Sequence, residues 1–153
     1  MKIHALEQRQ ILPITLEEAW EFFSSPANLE QITPSDVGFE ITSSLEEKMF
    51  EGQIITYRVK IAPAVRVSWV TEIKCVVEGR SFVDEQRFGP YKFWHHRHEF
   101  ELVDGGVFMR DKVHYALPFG PFGALAHAIF VRRKLKWIFQ RRKQILITRF
   151  GGR

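Results

Sequence analysis

The sequence predicts an α+β domain in which seven strands form one antiparallel sheet and a single long C-terminal helix packs on it. Three observations point there. Residues 52–117 alternate apolar and polar side chains with period two, in runs separated by turn-forming residues. Residues 124–150 contain neither Pro nor Gly and space Ala128, Val131, Leu135, Ile138, Phe139 and Ile145 along one helical face. Between the first strand and residue 39 the chain carries helix-start signals in place of alternation.

The elements follow in the order β-α-α-β6-α. Residues 3–12 alternate as the first strand. Thr15 suits an N-cap, and Glu18 three residues on completes a capping box for a helix holding Ala19, Trp20, Phe22 and Phe23. Pro26 begins a second short helix through Ile32, and Pro34 ends it. Strands are then expected at 39–43, 52–61, 65–77, 81–88, 91–103 and 107–117. Leu117 to Gly123 holds two prolines and two glycines and reads as a loop. The helix after it would span about 40 Å at 1.5 Å per residue.

Turn chemistry sets the expected register, because cross-strand partners must share a face. Asp104-Gly105 fits a two-residue hairpin turn, which places His98 opposite Asp111. A three-residue turn at Gly89-Pro90-Tyr91 places Asp84 opposite His96. A turn at Gly79-Arg80 would pair Val77 with Phe82, Cys75 with Asp84 and Ile73 with Gln86, so that Cys75 points inward as a small core residue.

The consequence is unusual for an inward face. Asp84, Gln86, His96, His98 and Asp111 fall among its aromatics, and ionisable groups are seldom buried unpaired. Three roles fit: general acid–base catalysis, with His96 or His98 moving a proton while Asp84 and Asp111 orient the rings; anchoring the polar end of a ligand; or an internal network that fixes strand register. Two His and two Asp could also ligate a metal, but the expected His/Asp pairing uses the same atoms, and no metal is expected. His95 and His114 fall on the outward faces.

The 153 residues are expected to form one domain, 1–153, since 45% hydrophobic residues suffice for a core without metals or disulfides. One cysteine excludes an internal disulfide, the N-terminus lacks the apolar run of a signal peptide, and no segment approaches about twenty apolar residues. A soluble, cytoplasmic protein is the expectation. The net charge of +4 is concentrated in Arg132, Arg133, Lys134, Lys136, Arg141, Arg142, Lys143 and Arg149. That cluster reads as the solvated face of the helix, with Arg142 and Arg149 snorkelling or, as the alternative, salt-bridging a ligand carboxylate, or as a surface for an anionic membrane. Nucleic-acid binding is not expected, because the aromatics lie on the inner face instead of interleaving the cations. No nucleophile elbow, Walker loop or dinucleotide fingerprint occurs, and no cofactor is expected.

Several local patterns together resemble a known family. They are Trp20-Glu21-Phe22-Phe23 with the segment from Pro26 to Pro34, and Asp84-Glu85-Gln86 through Gly89-Pro90-Tyr91. Trp94, His96, His98 and Phe100 follow, then Asp111, Val113, Tyr115 and Pro118-Phe119-Gly120. Over essentially its whole length the chain resembles the START-like (SRPBCC) superfamily, in the bacterial branch of polyketide cyclase/dehydrase and ligand-binding proteins. Similar domains also occur fused to sugar-nucleotide epimerase-like proteins.

The resemblance implies a helix-grip fold, a curved sheet wrapped on the long helix with an internal cavity between them. It implies a hydrophobic small-molecule ligand such as a lipid, polyketide or quinone. Tyr57, Trp69, Phe82, Gln86, Trp94, Phe100, Met109, Tyr115, Leu135 and Ile138 are the expected ligand-binding residues. Two alternatives stand beside this: a cyclase/dehydrase-type enzyme using the Asp/His cluster, and a lipid or quinone carrier docking on anionic membranes through Phe119, Phe122 and the basic helix.

Overall fold

The computed structural model describes residues 1–44 and 46–153. Strand β1 (His4–Leu12) leads into helices α1 (Leu16–Phe23) and α2 (Asn28–Ile32) and a short 3-10 turn, Ser35–Val37. The meander follows as β2 (Glu40–Ile41), β3 (Ile54–Ala62), β4 (Val65–Val77), β5 (Ser81–Phe88), β6 (Phe93–Val103) and β7 (Gly106–Ala116). The C-terminal helix has three parts: α3 (Gly120–Ala126), a π-helical turn (His127–Val131) and α4 (Arg132–Phe150). The seven strands form one antiparallel sheet in the order β1-β7-β6-β5-β4-β3-β2, the helix-grip arrangement expected from the sequence.

Local chemistry explains the first helix. Thr15 Oγ1 accepts the Glu18 N–H at 3.1 Å, and the Glu18 carboxylate accepts the Thr15 N–H at 2.7 Å, so two orphan donors are satisfied reciprocally. The buried side of α1 then sets Trp20 edge-on against Phe82 and Phe100, under one end of the sheet. Val113, Trp94, Trp69 and Tyr57 from the sheet pack with Leu135 and Phe139 of α4 in a second cluster.

The helix buries Leu135, Phe139, Arg142 and Leu146. The expected stripe is corrected at its start: Ala128 is exposed, and Val131, Ile138 and Ile145 are only half-buried. The π turn accommodates an extra residue and rotates everything after it relative to α3, so one stripe cannot run through both parts. The expected loop before the helix is also shorter. Phe119 takes a left-handed conformation (φ 69°) as N-cap, and Pro121 occupies the first turn, where its missing N–H leaves nothing unpaired.

The β6–β7 and β5–β6 registers agree with the turns, pairing His98 with Asp111 and Asp84 with His96. The β4–β5 register does not: Ile73 pairs with Asp84, Thr71 with Gln86 and Val77 with Ser81, across a bulge between Lys74 and Val77. Cys75 sits in that bulge at φ 52° and is exposed, not inward. Its N–H and that of Val76 donate to the Glu51 carboxylate at 3.0 and 2.8 Å, which compensates the lost ladder bonds and holds the Glu51 carboxyl below its ordinary range.

Two close approaches position the ends. Arg153 exchanges backbone hydrogen bonds with Ile11 at 2.7 and 3.0 Å, covering the free edge of β1. Gly106 has φ 141°, and a Cβ there would overlap the Leu12 carbonyl. Among the described residues, no helix is long and apolar enough to cross a membrane.

Candidate functional site

A hollow of about 440 Å³ lies between the concave face of the sheet and the C-terminal helix. Its wall is mostly aromatic and aliphatic: Phe39, Tyr57, Trp69, Phe82 and Trp94 from the sheet side, Phe22 and Phe23 from α1, and Leu135, Ile138 and Phe139 from α4. Asp84, His96, His98 and Arg142 form a largely buried ionisable cluster on this wall, and Ser25, Asn28, Thr33, Lys60, Thr71 and Lys134 also line it. Ile61, Phe119 and Phe130 line it where it meets solvent, with Phe119 81% and Phe130 69% exposed.

Three adjacent strands build the polar floor. Asp84 comes from β5, His96 and His98 from β6, and Asp111 from β7, all projecting inward by the period of two. His96 Nε2 donates to Asp111 Oδ1 at 2.9 Å, and His98 Nε2 donates to Asp84 Oδ2 at 2.7 Å. His96 Nδ1 lies 3.2 Å from Asp84 Oδ2, and His98 Nδ1 lies 3.0 Å from Asp111 Oδ1 at an angle too oblique for a hydrogen bond. Each carboxylate therefore serves both rings, whose centroids are 3.8 Å apart. Trp94 Nε1 adds a donor to Asp84 Oδ1 at 3.2 Å.

Opposing forces set the protonation. Burial alone would raise both carboxyl groups, but for Asp84 the His96 charge and bonds from both rings outweigh it and hold the acid well below its usual range. For Asp111 the Arg142 guanidinium and the same rings do so. Burial would lower His96, yet the Asp84 charge and the Asp111 bond raise it to about 8. At neutral pH His96 is thus an imidazolium between two carboxylates.

The expected residues separate into two groups. Tyr57, Trp69, Phe82, Trp94, Leu135 and Ile138 line the hollow, as do Asp84, His96 and His98. Gln86, Phe100, Met109, Tyr115 and Asp111 do not. Gln86 closes its own turn, donating to Tyr91 O at 2.7 Å and accepting the Tyr91 N–H at 3.1 Å. Phe100 and Met109 are packed beneath α1, and the Tyr115 hydroxyl pairs with His127 Nε2 at 2.8 Å, while His4 stacks on His127 with centroids 3.5 Å apart.

Arg142 is the site residue for which the sequence favoured a snorkelling, solvated side chain over a partner for a ligand carboxylate. It is only 8% exposed, and its spacing from Leu135 and Phe139, seven and three residues back, was the available signal. The indole N–H of Trp69 is buried without a partner among the described residues. Asp84, His96 and His98 offer metal-ligating atoms within 4.8 Å of one another. An ion could bind there only by displacing the His/Asp hydrogen bonds already made.

No protein-family profile matches the sequence, and no curated protein matches it. Solved structures do resemble it in fold. A protein of Chromobacterium violaceum aligns at TM-score 0.71 with 13% identity over 97% of this chain and 98% of its own. The di-domain ARO/CYC StfQ from the steffimycin biosynthetic pathway aligns at 0.70 with 11% identity over 94% of this chain and 49% of its own. A norcoclaurine synthase from Thalictrum, in complex with a transition-state analogue, aligns at 0.65 with 9% identity, covering 97% and 96%.

Proposed function

We propose that this chain, a START-like helix-grip protein by fold, binds a hydrophobic small molecule in the hollow between its sheet and its C-terminal helix. The carrying observation is the contrast within that hollow: a mostly aromatic and aliphatic wall that carries a largely buried cluster of ionisable side chains, Asp84, His96, His98 and Arg142. Its volume of about 440 Å³ lies in the range of small-molecule sites. Trp69, Trp94, Tyr57, Phe82, Leu135 and Ile138 would hold the apolar body of a lipid, polyketide or quinone. Native mass spectrometry of protein purified from its own host should show a bound molecule that denaturation releases. A protein that retains nothing, and into which no apolar fluorescent probe partitions, would contradict the reading.

A second reading is acid–base catalysis on the bound molecule, favoured by the position of His96 and His98 on the wall with Asp84 and Asp111 holding them. Two proteins of this fold are an ARO/CYC and a norcoclaurine synthase. In a polyketide cyclisation assay, His96→Ala and His98→Ala should abolish turnover while sparing ligand binding; equal loss of both would point to anchoring instead.

A carrier that docks on anionic membranes is the third, favoured by exposed Phe119, Phe122, Leu125 and Phe130 beside the basic helix. Liposome binding should then weaken with salt and with Phe119→Ser plus Phe122→Ser. Indifference to both treatments would remove it.

A further inference from the structure

Arg142 is a buried cation without a bonding partner among the described residues. A guanidinium carries five N–H donors, and taking such a group out of water is costly unless those donors are met. Among the described residues it makes no hydrogen bond or ion pair, and its Nε is fully buried without a partner. The Phe139 ring, 5.9 Å away, offers only its face.

The neighbouring acids do not fill this role. Asp111 feels the Arg142 charge, but its Oδ1 is already shared between His96 and His98, and Asp84 is bonded to His98 and Trp94. Arg142 itself lines the hollow, whose wall is otherwise mostly apolar. What completes the arrangement is an acceptor delivered by a ligand, and a carboxylate meets a guanidinium with two parallel bonds.

Resting on the binding function proposed above, we infer that the ligand is an amphipathic monocarboxylate, seated with its carboxylate on Arg142 and its apolar body along the wall toward Phe130. A single negative charge is the most the place accepts, because Arg142 and the His96 imidazolium already balance the Asp84 and Asp111 carboxylates, which would repel a dianion. Length is available as well. Phe130 and Arg142 are twelve residues apart on one helix, which is about 18 Å at 1.5 Å per residue.

Calorimetric titration at neutral pH with dodecanoate and with dodecanol tests this on the intact protein. The two probes share an apolar body and differ in the head. Dodecanoate should bind roughly ten- to a hundredfold more tightly to the unmodified protein. Arg142→Met should erase that preference, and Arg142→Lys should restore part of it. Equal binding of both probes by the unmodified protein overturns the carboxylate assignment and leaves the hydrophobic-ligand reading standing; binding of neither overturns both. The preference of the unmodified protein is decisive even if a variant folds poorly.

Discussion

His96 donates to Asp111 across 2.9 Å although the two are not cross-strand partners: His96 pairs with Val113, and Asp111 pairs with His98. The second bond, His98 to Asp84, is diagonal in the same sense, since Asp84 pairs with His96. Diagonal bonds let one carboxylate reach two rings. The four side chains thereby lock three strands together, and disturbing any one of them exposes the other three to an unmet demand.

Asp111→Asn tests that interdependence. The amide keeps the shape but removes the charge facing His96, His98 and Arg142. Breaking a buried ion pair on one side costs about 3 kcal/mol. Urea unfolding followed by tryptophan fluorescence should show a loss of that order. A change below about 1 kcal/mol would mean that the cluster contributes little to stability.

Stability should have two pH arms. His96 is raised from 6.5 to about 8, so its contribution of about 2 kcal/mol is complete below pH 6.5 and fades as pH rises through 8. Asp84 and Asp111 are held below 3.8, so theirs is complete above the ordinary carboxylate range and is lost as pH falls beneath it. Thermal melts should therefore plateau from about pH 5 to 6.5. His96→Gln should flatten the alkaline arm; an unchanged alkaline decline in that variant would assign it to another group.

Gly106→Ala should be among the more damaging single substitutions outside the hollow. The residue occupies φ 141°, and the new Cβ would meet the Leu12 carbonyl, where β1 and β7 approach. Strain and overlap together predict a loss above about 2 kcal/mol. Gly105→Ala shares a positive φ but has open space around it, so it isolates the steric part. Equal melting temperatures for the two variants would contradict the overlap.

Thr15→Ala removes one half of the capping box. A loss of about 1 kcal/mol is expected by denaturant titration. Thr15→Ser should recover most of it, because the acceptor oxygen is restored; failure of Ser to do so would shift the role to the Thr methyl.

Legibility in the sequence followed the range of the interactions. Asp104-Gly105 and Gly89-Pro90-Tyr91 are short turns, so alternation alone could carry the register from Asp84 to His96 and from His98 to Asp111. The bulge at Cys75 was not readable, because the group that stabilises it, Glu51, lies in a separate segment. Gln86 looked inward by parity but bonds within its own turn, a local competition that periodicity does not register. Arg142 was hidden by its residue type and by the π turn upstream, which sets the facing of every later position on the helix.

The pairing of β1 with β7 also orders events in time. Strands β2 to β7 each find a partner next to them in the chain, but β1 must meet residues 107–115 on one side and Arg153 on the other. In refolding, β1 and α1, with Trp20, Phe22 and Phe23, must wait for β7 before they are seated. Until β7 is in place those aromatics lack the sheet they cover, and they stay open to intermolecular contact longer than the hairpins do. Hydrogen-exchange pulse labelling during refolding should find β1 protected after the β5–β6–β7 meander.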